Sequence, residues 1–84
     1  MYLHIGKDEM IKKEDILFIL DYKNLKEDKI FQDFIQNIPK ENKKDISGEN
    51  PKSIIITKEN EKIKVYISNI SSNTLASRKT FENL

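Results

Sequence analysis

The sequence predicts a small α+β domain built on an antiparallel or mixed sheet and two helices. Three observations lead there. Short blocks of alternating or continuous apolar residues at 2–5, 16–20, 54–57 and 63–67 carry the pattern of strands. Residues 26–38 place Ile30, Phe31, Phe34, Ile35 and Ile38 at the spacing of one helical face. Finally, a serine-rich junction after residue 67 opens a short segment that ends in Arg78 and Lys79, as a capped terminal helix would.

Taken in order, residues 2–5 read as an opening strand that stops at Gly6, with Leu3 and Ile5 on one face and Tyr2 and His4 on the other. A polar turn, Lys7-Asp-Glu, leads to a brief second strand around Met10 and Ile11. Residues 16–20 are apolar without interruption and close on Asp21-Tyr-Lys-Asn, which predicts a central strand buried on both faces. The helix over 26–38 ends before Pro39, whose ring disfavours helical geometry at Ile38. Residues 40–51 hold one apolar side chain, Ile46, and are expected to form the one long exposed connection. Residues 54–57 and 63–67 then pair as a hairpin across the polar turn 58–62, with Ile63, Val65 and Ile67 sharing a face. Ser71 or Ser72 caps the last helix, which Leu75 anchors.

The 84 residues allow one domain, and a chain of this length buries only about 60–65% of its unfolded surface. With no cysteine, neither a disulfide nor a thiolate zinc site reinforces that core, so oligomerisation is an expected source of added stability. Fifteen Lys and Arg stand against 14 Asp and Glu, a balance that excludes indiscriminate coating of nucleic acid and leaves local patches as the route to an anionic partner. The opening residues have no secretion-signal pattern and no segment reaches the length of a membrane span, so the expected location is cytoplasmic.

Catalytic chemistry lacks its parts. His4 is the one histidine and sits in an alternating strand without a carboxylate cluster beside it, so sheet packing or a surface contact accounts for it better than proton transfer. Asp8 with Glu9, and Glu14 with Asp15, are adjacent pairs whose side chains diverge in extended chain. Gly6 and Gly48 lack the companions of a phosphate-binding loop. No enzyme, metal or cofactor is expected. The cations are dispersed: Lys12 and Lys13, Lys40, Lys43 and Lys44, Lys52, Lys58, and Arg78 with Lys79. They form either a solvated, acid-balanced surface or, where residues 40–52 meet the last helix at the sheet edge, a phosphate-binding track in which Arg78 supplies a forked donor.

The segments Met1-Tyr-Leu-His-Ile-Gly6, Asp15-Ile-Leu-Phe-Ile-Leu-Asp-Tyr-Lys23, Pro51-Lys-Ser-Ile-Ile-Ile-Thr57 and residues 65–78 resemble, in that order, small bacterial extracellular-matrix regulatory proteins of the RemA/RemB type. The RemB branch fits best, and the likeness covers nearly the whole chain as one RemA/RemB-like domain over residues 1–84. The resemblance implies a LytTR-like fold, a non-enzymatic role in transcription of biofilm-matrix genes, assembly as a ring-like homo-oligomer, and double-stranded DNA as partner. Lys43, Lys44, Lys52 and Arg78 are the expected DNA contacts. Where proteins of the RemA type carry arginines before the strand matching 54–57, this chain has Gly48-Glu-Asn-Pro-Lys52, and Glu49 would repel a phosphate. The alternative is a protein-interaction module or structural oligomer acting on another regulator without touching DNA.

Overall fold

The computed structural model describes residues 1–81. Strands β1 (Tyr2–Gly6) and β2 (Glu9–Lys12) form an antiparallel hairpin in which Leu3 faces Ile11. Its turn needs backbone that ordinary residues resist, with φ of 129° at Gly6 and 46° at Lys7. The conformation calls for glycine at position 6, and a Cβ there would also sit 3.3 Å from Asn69 Oδ1, so that side chain would have to give way slightly.

Strands β3 (Ile16–Asp21), β4 (Lys43–Asp45), β5 (Ser53–Glu59) and β6 (Lys62–Ser68) make the main sheet, in the order β3-β5-β6-β4. The β3–β5 and β5–β6 pairs are antiparallel and the β4–β6 pair is parallel, so the sheet is mixed. Helices α1 (Tyr22–Leu25), α2 (Lys29–Gln36) and α3 (Ser72–Phe81) complete the α+β fold, with 3₁₀ turns at Lys13–Asp15 and Lys40–Asn42. This small mixed-sheet architecture is in keeping with LytTR-type folds.

Alternation along β5 and β6 divides the core between the two faces of the sheet. On one face Ile55 and Tyr66 pack with Leu3, Ile5 and Ile11 of the hairpin, Ile46, and Leu75 of α3. On the other, Ile54, Ile56 and Val65 are covered by Leu25, Phe31, Ile35 and Ile38 from the α1–α2 region. The hairpin makes no strand pairing with the main sheet and is held to it by side chains and by Ser68 Oγ–H, which donates to the Ile5 carbonyl at 2.5 Å. Ser53 Oγ–H donates to the Ile70 carbonyl at 2.7 Å. These buried hydroxyls satisfy backbone oxygens where the last strand turns into α3.

Three expectations are corrected. The central strand is β5, whose residues 53–57 are all buried. Strand β3 is an edge strand, with Leu17 47% and Phe18 56% exposed; its uniform apolarity gives no second strand to cover it. The helix expected over 26–38 is shorter, because Asp28 accepts the Phe31 N–H at 2.9 Å and starts α2 at Lys29, while Asp21 starts the separate turn α1. Gln32 bridges the two by donating to the Leu25 and Lys26 carbonyls. The third is the 40–51 connection, which contains a 3₁₀ turn and β4 and buries Ile46.

A candidate nucleic-acid interface

Lys52 is the expected contact whose backbone the fold holds most directly. Its N–H donates to the Ser68 carbonyl at 2.8 Å and its carbonyl accepts the Tyr22 N–H at 3.1 Å, so the main chain is tied to β6 on one side and to α1 on the other. The side chain is exposed. It borders a shallow cleft of about 310 Å³ lined also by Asp21, Lys23, Ser71 and Asn73. Ser71 is the residue that caps α3, accepting the Thr74 N–H at 3.2 Å. Two ammonium groups and the start of a helix thus flank one cleft against the single carboxylate of Asp21, a balance that leaves a modest attraction for an anion. Nothing in its sequence context marks Lys23, since only the pairing of β3 with β5 brings it beside Lys52.

Lys43 and Lys44 diverge. Pairing β4 with β6 sets Lys43 opposite Val65 and Lys44 opposite Tyr66, residues that belong to opposite faces of the sheet. Lys43 Nζ donates to the Ile35 carbonyl in α2 at 3.2 Å, and Lys44 Nζ lies 2.6 Å from Glu9 Oε1 in the hairpin. Both cations therefore have partners within the fold, and β4 lies at the opposite edge of the sheet from β3.

Arg78 sits near the other end of α3 from Ser71 and is half-buried. Its Nη1 donates to the His4 carbonyl at 3.3 Å, and its own carbonyl accepts Lys13 Nζ at 3.0 Å. Lys13, only 7% exposed, thereby places a cation at the negative end of the helix dipole. Leu75 is fully buried and anchors α3. The four expected contacts thus fall in three places, with Lys52 at the start of α3, Arg78 near its end and the two β4 lysines across the sheet.

A second cleft, about 400 Å³, lies between the two hairpins and is lined by Tyr2, Glu9, Lys12, Asp15, Glu59 and Lys64, among others. Its carboxylates and ammonium groups are mixed, so it offers no clear attraction for a polyanion. Glu59 Oε2 accepts Thr57 Oγ1–H at 2.6 Å and Tyr66 Oη–H at 2.8 Å, with Lys64 Nζ 3.5 Å from Oε1. Partial burial pushes the Glu59 carboxyl up, but these two hydrogen bonds and the Lys64 ammonium together outweigh it and hold it below its ordinary value. Burial, followed by the bond to Glu59 and that carboxylate's charge, pushes the Tyr66 hydroxyl well above its own. Among the described residues, no three His, Cys, Asp or Glu side chains are grouped to hold a metal ion, and no helix is long and apolar enough to cross a membrane.

Known proteins match this chain along almost all its length. The family model described as "Extracellular matrix regulatory protein A-like" covers residues 2–78. Extracellular matrix regulatory protein B of Bacillus subtilis (strain 168) is 34% identical over 82 residues, which cover 96% of this chain and 93% of that protein. The chain therefore belongs to the RemA-like family of extracellular matrix regulatory proteins, on the side of the B proteins.

Proposed function

We propose that this protein is a non-enzymatic cytoplasmic regulator of matrix-gene transcription that binds double-stranded DNA as a ring-like homo-oligomer. The observation that carries the reading is Lys52, tied by its backbone at the mouth of a cleft shared with Lys23 and the start of α3. It lies in the connection before β5, where proteins of the RemA type carry arginines and where, in this chain, Glu49 opposes a phosphate and leaves Lys52 as the cation. Lys52 and Lys23 grip the phosphate backbone; Arg78 adds a contact further along α3, and Lys43 and Lys44 contribute where a partner competes for their internal bonds. With a net charge of +1, one copy attracts DNA weakly, and repetition around an oligomer makes the contacts add.

DNA titration at several salt concentrations tests this. Lys52→Ala combined with Lys23→Ala should weaken binding across sequences and lower the salt slope by about one for each phosphate deprived of its ammonium partner. Unchanged affinity in a folded double variant would exclude the cleft.

A second reading, regulation through another protein, is favoured by the exposed apolar side chains Ile30 and Phe34 on α2, 84% and 41% exposed. No binding to genomic DNA fragments at low salt, together with capture of a protein partner that tolerates salt, would select that reading.

A further inference from the structure

The main sheet ends differently on its two sides. Strand β4 has three residues, Lys43, Lys44 and Asp45, and is short and charged in the way that keeps edges from pairing. Strand β3 has six residues, five of them apolar. Among the described residues, it pairs only with β5. A bulge at Leu17 interrupts its start, but the register with β5 is regular from Phe18 to Asp21. Phe18 and Leu20 face the α2 side with Ile56 and Ile54, while Ile19 faces the α3 side with Ile55. This strand has the composition of a sheet interior and the position of a sheet edge.

We infer that β3 pairs antiparallel with β3 of a second copy of this chain, about a two-fold axis near Ile19. The occupant follows from the strand. Pairing about Ile19 puts Phe18 opposite the partner's Leu20 on one face and the two Ile19 side chains opposite each other on the other, so these central pairs are apolar and stay on their proper side of the sheet, while Leu17, at the bulge, meets the partner's Asp21 at the strand's end. No charge is buried across residues 18–20. The β4 edge of another copy is a poorer match, because alternation would set either Lys43 with Asp45 or Lys44 against the face that carries Phe18 and Leu20. The main sheet of each copy therefore offers one such pairing edge, and the continued sheet closes at eight strands instead of extending into a filament. The contact rests on the oligomeric part of the reading above and is independent of its DNA part. A ring would be assembled from such pairs through other surfaces.

Sedimentation over a range of protein concentrations is the test, comparing the full chain with Phe18→Lys and with Lys62→Glu at the exposed β5–β6 turn. Phe18→Lys should lower the assembled mass by about half or more while circular dichroism stays native, and Lys62→Glu should leave it unchanged. Because the chain has no cysteine, Phe18→Cys alone should be joined to a second copy by a short bis-maleimide, and Lys62→Cys should not. This second arm decides the matter if Phe18→Lys fails to fold. An oligomer that ignores Phe18→Lys, or a Phe18→Cys protein that does not cross-link, overturns the β3 pairing and leaves oligomerisation standing. A strictly monomeric protein at every concentration removes both, and DNA titration of that monomer still reports separately on the Lys52 cleft.

Discussion

Leu75 shows how much one side chain supports, since it is fully buried and joins α3 to the hairpin and to Ile55 and Tyr66. Leu75→Ala should cost about 2–4 kcal/mol, read as a lower midpoint in urea unfolding. Glu59 and Tyr66 act through protonation instead. The folded state holds Glu59 below its ordinary value of 4.5, so its contribution to stability is present above that pH and lost as pH falls through the folded value. Tyr66 is held above its ordinary 10.0, so its contribution is complete below pH 10 and lost as pH rises towards the folded value. Melting temperatures measured from pH 8 to 12 should therefore fall more steeply for the native protein than for Tyr66→Phe, which has no proton to lose. Equal slopes would mean that neither burial nor Glu59 holds the Tyr66 hydroxyl above its ordinary value.

At the scale of elements, caps set the boundaries that apolar spacing alone misplaces. Asp28→Ala should destabilise α2 by about 1 kcal/mol through loss of the bond to the Phe31 N–H; a thermal melt indistinguishable from native would show that the cap adds nothing. Of the five apolar residues expected on one helical face, Phe31, Ile35 and Ile38 pack on the sheet while Ile30 and Phe34 stay exposed, and the spacing carried no sign of the break between α1 and α2. The β5–β6 hairpin was legible as a pair, but its turn is tighter than the expected 58–62: Lys58 and Glu59 belong to β5 and Lys62 to β6, and Asn60 and Glu61 alone turn the chain with positive φ of 52° and 67°. Strand β3 was legible as a strand and not as an edge, since apolarity records what a side chain can bury against and not how many neighbours a strand has. Strand β4 is two lysines and an aspartate, which no apolar pattern marks. That one unread strand is also why Lys43 and Lys44, adjacent in sequence, were expected to act together although strand geometry turns them apart.

For the whole molecule, the β5–β6 pair is the support on which two unlike layers rest, α1 and α2 on one face and the first hairpin with α3 on the other. The second layer joins distant parts of the chain. Ser68 bonds to Ile5 across 63 positions, and Lys13 to Arg78 across 65. During synthesis, therefore, the hairpin emerges first and finds its support last. Leu3, Ile5 and Ile11, all buried in the native state, remain open to solvent and to other chains until residues 54–78 have left the ribosome and β5, β6 and α3 are in place. The interval is set by translation speed and by the entropy of closing a loop of that length, which grows only slowly with further residues. An N-terminal fusion that folds by itself should leave this interval unchanged, whereas slower translation of residues 13–68 should lengthen it and raise the aggregated fraction at expression.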